Sequence, residues 1–370
     1  MTDRVYLDYN ASAPLLPEAR EAVIETMDAV GNPSSVHRDG REARRIIEQA
    51  RGHLADALGV GSGSVIFTSG ATEANILALS GTGRSTVLAS AIEHDSVLST
   101  PGVETFAVTS DGVADLSDIE HRLASVEAKA IVSLQMVNNE TGVIQPVADA
   151  AHLARASGAL IHCDAVQALG RIPLSPDQLG VDLVTVSGHK IGGPKGVGAL
   201  ISRDGLPITP LITGGGQERR RRAGTENVTA IAGFGAAAKA ANIGKWSIVA
   251  EQRDRLEAKL RDLPSRVQIL GVSAERVANT VCVAMPGVDA ETQLMAFDLA
   301  GIAVSAGSAC SSGKVATSHV LAAMGVPKDT ARCAIRVSLG PATKADEIDR
   351  FVAAWRQISA RRNERERAVA

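Results

Sequence analysis

Lys190 lies in Val186-Ser-Gly-His-Lys-Ile-Gly-Gly-Pro-Lys-Gly-Val-Gly-Ala199, directly after the apolar run Val181-Asp-Leu-Val-Thr-Val186. An amine at the exit of a buried strand, in a turn whose glycines leave the backbone bare, serves either as a phosphate clamp or as a nucleophile beside a cofactor. Asp164 ends a second apolar run, Ala159-Leu-Ile-His-Cys-Asp164, and Gln167 follows three residues on. A buried carboxylate needs a partner to keep its charge; the plain alternative is a helix N-cap. Asp164 and Lys190 are separated by about one strand–helix unit. An aspartate on one strand end and a lysine on another fit the two anchors of pyridoxal phosphate: the lysine bonds the aldehyde and the aspartate holds the protonated ring nitrogen.

Other strand ends add to this pair. In Phe67-Thr-Ser-Gly-Ala-Thr-Glu-Ala74 a strand runs into a glycine turn and a helix begins near Thr72. Free amides at a helix start suit a phosphate, although an ordinary capped turn reads the same way. Ser187 and His189 could add hydrogen bonds to that phosphate. His162-Cys163-Asp164 offers metal-ligand types, but adjacent strand residues point to opposite faces and no second ligand cluster is evident, so no intrinsic metal is expected. Of the four cysteines, Cys163, Cys282 and Cys333 lie in or beside apolar runs. Cys310 instead sits in Ser305-Ala-Gly-Ser-Ala-Cys-Ser-Ser-Gly313, a run of small residues that suits an approachable thiolate.

These residues must be positioned by a sheet. Strands are predicted at Val65–Phe67, Thr86–Ser90, Ala130–Gln135, Ala159–Cys163, Leu183–Val186 and Gly198–Ser202, with helical patterns between them. Ala43, Ile46, Ile47, Ala50, Leu54 and Leu58 make one such helical face. The alternation implies an α/β fold with a mostly parallel sheet covered on both faces, which binds ligands beyond its strand carboxyl ends. After about residue 245 the pattern changes. Strands are predicted at Arg276–Met285, Ile302–Ser305 and Ala334–Leu339, then a helix marked by Ile348, Phe351, Val352, Trp355 and Ile358. The division expected is a large domain over 14–245 and a smaller α+β domain from 1–13 and 246–370. Arg361–Arg367 reads as a frayed, solvated end.

Composition excludes some functions. With 45% hydrophobic and 21% charged residues the chain is globular. A net charge of −3 and only 2% aromatics argue against nucleic-acid binding, even through Glu218-Arg-Arg-Arg-Arg222. The P-loop pattern GxxxxGK[ST] is absent. No stretch approaches the length of a membrane span and the N-terminus lacks a signal-peptide core, so a reduced, cytoplasmic protein is expected.

Taken in order, the motifs resemble those of the cysteine desulfurases of the NifS/IscS type. These are class V aminotransferase-like, fold-type I pyridoxal phosphate enzymes. The resemblance spans nearly the whole chain. Its motifs are Tyr6-Leu-Asp-Tyr-Asn-Ala11, Gly31-Asn-Pro-Ser-Ser-Val-His37, Thr68-Ser-Gly-Ala-Thr-Glu73, Glu93-His94, Val137-Asn-Asn-Glu-Thr-Gly142 and Asp164-Ala-Val-Gln167. They continue with Ser187-Gly-His-Lys190, Arg222-Ala-Gly-Thr225, Ser305-Ala-Gly-Ser-Ala-Cys310 and Ile335-Arg-Val-Ser-Leu-Gly340.

The resemblance implies a role for each residue. Lys190 bonds the cofactor and moves the substrate Cα proton, and Asp164 pairs with the ring nitrogen. His94 stacks on the ring and assists proton transfer. Gln167 and Asn139 lie by the 3-oxygen, with Asn139 also near the substrate carboxylate. Ala71, Thr72, Ser187 and His189 hold the phosphate, and Thr225 reaches the partner's phosphate in a homodimer. Arg336 clamps the carboxylate of L-cysteine. Cys310 takes the sulfur as a persulfide, leaving L-alanine, and hands it to an acceptor, commonly an iron–sulfur scaffold protein. With such a partner it could transiently ligate a cluster. The long small-residue loop resembles the branch that delivers sulfur directly, and no C-terminal docking extension is evident. Selenocysteine lyase, or another class V lyase, shares the apparatus and is the alternative.

Overall fold

The computed structural model describes residues 4–126, 129–264, 267–307 and 317–369; the side chains of 362–369 are not among those described. Among the described residues twelve strands run in chain order. They are β1 (Val5–Tyr6), β2 (Val65–Thr68), β3 (Thr86–Ser90), β4 (Val103–Phe106), β5 (Ala130–Ser133), β6 (Leu160–Asp164), β7 (Leu183–Ser187) and β8 (Gly198–Ser202). Then come β9 (Gln268–Leu270), β10 (Thr280–Ala284), β11 (Ile302–Ala303) and β12 (Ala334–Ser338).

Seven strands form the main sheet, in the order β2-β8-β7-β6-β5-β3-β4. β4, β3, β5, β6 and β7 are parallel, and β8 runs antiparallel to both β7 and β2. The strand ends that follow β2, β3, β6 and β7 therefore share one edge of the sheet. Fully buried strands of this kind read as continuous apolar runs, and β2, β5, β6, β7 and β8 are buried at every position.

Both faces are covered. Ile161, Cys163, Val184 and Val186 pack into a core with Ile47, Ala50 and Leu54 of the helix Arg38–Leu58 and Phe234 of the helix Val228–Ala240. Leu160, Leu183 and Leu200 point the other way, onto Leu77 and Ala78 of the helix Ala71–Gly81. Of the helical face read from sequence, Ile46 is only half-buried, and Arg51 is buried in its stead.

A second core gathers Val5, Leu7, Leu256, Val281, Val283, Phe297, Ile335, Val337, Phe351 and Trp355. Its sheet has the order β12-β10-β9, and β1 pairs with β11. Phe297 and Phe351 stack with centroids 4.8 Å apart. The N-terminal strand thus pairs with the C-terminal third of the chain. Arg276 is not in β10; it makes only an isolated bridge to Val143, and its guanidinium pairs with buried Glu257 at 2.8 Å. The charged tail also differs from expectation. The helix Ala345–Val369 continues through it, as a run rich in Arg, Glu and Ala favours.

Candidate active site

Lys190 closes the 3-10 turn Gly188–Lys190 directly after β7. Its Nζ donates to the backbone oxygen of Asn10 at 2.5 Å. Burial first, then the guanidinium groups of Arg336 and Arg171, push its amine down to about 8. Asp8 and Asp164 oppose the shift and lose. An amine whose pKa is brought down toward neutral pH suits a nucleophile and base better than a phosphate clamp.

Asp164 ends β6, three strand spacings from the edge strand β2, and is 8% exposed. Asn75 Nδ2 donates to its Oδ2 at 2.9 Å and the Val166 amide to its Oδ1 at 3.0 Å. Among the described residues no cation pairs with it. His162, on the same face of β6, is a satisfied core histidine. Ser133 Oγ and Thr185 Oγ1 lie 2.9 and 3.0 Å from its two ring nitrogens, and burial holds it down at about 4. No group of three His, Cys, Asp or Glu among the described residues could hold a metal ion.

His94 follows β3 and caps the short helix Asp95–Leu98. Its Nδ1 accepts from the Ser96 amide at 3.1 Å, so a neutral ring carries its proton on Nε2. Asn75 bridges this cap to Asp164, since its Nδ2 also donates to Ser96 Oγ at 2.9 Å. One amide thereby ties three strand ends together.

Ala71 and Thr72 open the helix Ala71–Gly81, whose start has no side-chain cap. The helix can begin there because β8 comes very close. A Cβ on Gly198 would sit 2.7 Å from the carbonyl carbon of Gly70, so only glycine lets the two backbones meet. Among the described residues Thr72 and Ser187 make no side-chain hydrogen bond, and the half-buried His189, held down at about 4 by burial and by Lys190, approaches only Ser12 Oγ at 3.4 Å. Uncommitted donors at a helix N-terminus suit a phosphate. Thr225 is exposed, in the loop after Glu218–Arg222.

That arginine run is organised by its acid. Glu218 is buried and accepts both Nη atoms of buried Arg51 at 2.8 Å, and the Phe67 amide at 2.9 Å. Arg222 pairs with Glu73 at 2.9 Å, and Glu73 in turn accepts Ser69. The run is thus fastened to the strand end that precedes Ala71.

Arg336, on β12, is 6% exposed. Its Nη2 donates to Asp8 Oδ1 at 2.9 Å and its Nη1 to the Asn139 backbone oxygen at 3.0 Å, while buried Nε has no partner. The candidate clamp is therefore held from behind by Asp8, which also accepts Ser305 Oγ at 2.7 Å. Asn139 is half-buried beside it. Cys310 lies in 308–316, outside the described residues. The described flanks reach the same place: Ser305 touches Asp8, and Ser318 Oγ donates to buried Glu140 at 2.5 Å. Cys163, Cys282 and Cys333 are buried, and burial pushes the thiols of Cys163 and Cys282 up.

Sequence reasoning missed the residues that join these parts. Asn10 is 1% exposed. Its oxygen accepts Lys190 Nζ and, at 3.0 Å, Gln167 Nε2; its Nδ2 reaches the Asn139 oxygen and Thr280 Oγ1. Arg171, four residues beyond Gln167 in the turn that follows β6, donates to Gln167 Oε1 and Asn10 Oδ1. Asn10 stands in a quoted motif, yet an asparagine's partners cannot be read from spacing.

A lysine amine, a buried carboxylate with no cation, a histidine ring and an open helix start, all at one sheet edge, fit pyridoxal phosphate and define a fold-type I enzyme. The chain belongs to the class V aminotransferase family, whose sequence profile matches residues 5–351, and within it to the cysteine desulfurases. It is 42% identical to a cysteine desulfurase of Cereibacter sphaeroides, covering 95% of this chain and 94% of that one. It is 39% identical to the cysteine desulfurase IscS of Dictyoglomus turgidum, covering 94% and 93%. A NifS-like protein of Rickettsia africae has a similar structure, with a TM-score of 0.90 and 39% identity over 96% of this chain and 99% of that one.

Proposed function

We propose that this chain is a cysteine desulfurase, taking sulfur from L-cysteine with pyridoxal phosphate as cofactor and releasing L-alanine. The observation that carries the reading is the Lys190 amine, held down at about 8 beside an Asp164 carboxylate that lacks a cation. When bound, pyridoxal phosphate supplies a sink for the electron pair left at the substrate Cα. Asp164 offers its charge to a protonated ring nitrogen. Ala71, Thr72, Ser187 and His189 would hold the phosphate, His94 would lie against the ring, and Gln167 and Asn139 would serve the 3-oxygen.

Arg336 receives the substrate carboxylate, kept in place by Asp8. Lys190 takes the Cα proton. The Cys310 thiolate attacks the substrate sulfur. The new S–S bond forms as the Cβ–S bond breaks, its electron pair stays with carbon, and protonation gives alanine. The sulfur remains on Cys310 as a persulfide for an acceptor, such as an iron–sulfur scaffold.

The reading includes an active homodimer, with Thr225 directed to the partner's phosphate site. Met27, Val30 and Val36 are strongly exposed apolar side chains in one segment, as a covered surface requires. It also includes the division into 14–245 against 1–13 with 246–370, supported by the two separate cores. Among the described residues no helix is long and apolar enough to cross a membrane. That fits the reduced cytoplasm, which three buried thiols without a disulfide also suit.

Mass spectrometry of the protein after exposure to L-cysteine without reductant tests the reading. One added sulfur on the Cys310 peptide is expected, and none in Cys310→Ser. Sulfur on another cysteine would overturn the assignment of the nucleophile.

A further inference from the structure

Arg171 is a buried cation without a carboxylate. It is 4% exposed, and among the described residues it forms no ion pair. Its Nη1 donates to Gln167 Oε1 at 2.6 Å and to Asn10 Oδ1 at 2.7 Å. Its Nη2 lies 3.4 Å from the Tyr9 oxygen and 3.5 Å from the Lys190 oxygen. The guanidinium rests over the Trp246 ring, 5.6 Å from its centre, and Nε has no partner. Burying a charge on neutral acceptors alone is costly. Structural economy would place an apolar side chain here, so the charge and the fork need another reason.

Two consequences follow from the geometry. First, an amide side chain can turn over, exchanging its oxygen for its nitrogen. Arg171 has only donors, so Gln167 must turn Oε1 toward it. Gln167 Nε2 then faces Asn10 and the Lys190 side, and only a hydrogen-bond acceptor in the pocket can be its partner. Asn10 is fixed in the same way: its Oδ1 accepts Arg171 and, at 3.0 Å, Asn279, so Nδ2 faces Asn139. Second, Arg171 brings a positive charge to the backbone of Lys190 itself.

We propose that Arg171 is a positioning residue, whose fork fixes the Gln167 amide as a donor toward the cofactor and whose charge faces the Lys190 amine from behind. The inference rests on the pyridoxal phosphate reading above. The charged groups around Lys190 are Arg336, Arg171, Asp164 and Asp8, with His189 next in the chain. The two guanidinium groups favour the uncharged amine and the two carboxylates oppose them. Arg171 is itself pushed down to about 9, by burial and then by Arg336, so at neutral pH it keeps its charge.

Arg171→Lys and Arg171→Met separate the two functions. Lysine keeps the charge and loses the fork; methionine keeps an apolar stem and loses both. Two readouts on the holoenzyme are needed: the cofactor dissociation constant, and the pH at which the cofactor's visible band changes. Loss of one oriented hydrogen bond should weaken cofactor binding about tenfold in both variants. Removing a positive charge favours protonation, so the midpoint of the band should rise by about one pH unit in Arg171→Met and hold in Arg171→Lys.

If both variants leave binding and midpoint unchanged and only melt earlier, Arg171 is a packing residue and the proposal fails. A midpoint that rises equally in Arg171→Lys would overturn the role of the charge. Should Arg171→Met not fold, Arg171→Lys decides: weaker binding at an unchanged midpoint supports the proposal, and unchanged binding overturns it. A wild-type protein that takes up no pyridoxal phosphate overturns the underlying reading and this inference together, an outcome visible without any variant.

Discussion

Lys190 and Gln167 donate to one acceptor, the backbone oxygen of Asn10, at 2.5 and 3.0 Å. The amine expected to bond the cofactor and the amide expected beside its 3-oxygen are thus registered against each other by a residue from the N-terminal segment. That segment also supplies Asp8 behind Arg336. A strand of two residues, β1, holds both in place by pairing with β11.

Replacement of Lys190 by alanine should abolish the cofactor's bond to the protein. The visible band of the purified protein should change form, and turnover of L-cysteine should fall by at least about a thousandfold, the scale of a lost acid–base and nucleophilic group. Absorbance and sulfide release check this. Full turnover with an unaltered spectrum would contradict it.

Substitution of Arg336 by glutamine should raise KM for L-cysteine more than it lowers kcat. A charge-assisted pair is worth about 1.5–3 kcal/mol, or about 10- to 150-fold in kcat/KM. Asp8→Asn should show a smaller loss, because the guanidinium stays but is less firmly held. Steady-state kinetics of the two variants distinguish clamp from support.

The Glu218 loop makes a structural prediction. Glu218, Arg219 and Arg220 have φ of 43°, 56° and 65°, left-handed values that side chains other than glycine's rarely adopt. The buried pair with Arg51 holds them there. Arg51→Ala leaves a buried carboxylate without its cation and should cost about 3–5 kcal/mol. Arg220→Gly removes strain at an exposed site and should raise stability by about 1 kcal/mol. Chemical denaturation of both variants checks the signs.

His162 predicts an acid-sensitive fold. Its native value is about 4 against 6.5 for the ordinary imidazole. Between those values the unfolded chain binds a proton that the native protein does not, so stability falls as pH drops through this window and is fully present above about 6.5. One group contributes a slope of about 1.4 kcal/mol per pH unit. His162→Gln should flatten the denaturation profile between pH 6.5 and 4; an unchanged slope would contradict the burial argument.

The chemistry-bearing strand ends were legible because buried parallel strands leave continuous apolar runs that stop at Asp164 and just before Lys190. The edge strand β4 was not, since Val103-Glu-Thr-Phe106 has an exposed Glu-Thr centre and carries no such run. The reversed direction of β8 was hidden for another reason: an antiparallel neighbour buried on both faces has the same composition. Asn75, Asn10 and Arg171 escaped notice because their meaning lies in partners far away in sequence, Asp164, Lys190 and Tyr9 among them. Glu218 was obscured by the arginines beside it, which suggested a charged surface where the acid is the buried anchor.

Sulfide and alanine released from L-cysteine in the presence of a reductant, compared between wild type and Cys310→Ser, test the central claim most directly. The two products should form one to one in the wild type, and the variant should keep its cofactor colour while losing sulfide. Equal sulfide release by the variant would show that Cys310 is not the nucleophile. An inactive, colourless wild type even after pyridoxal phosphate is added would contradict the cofactor and the activity together.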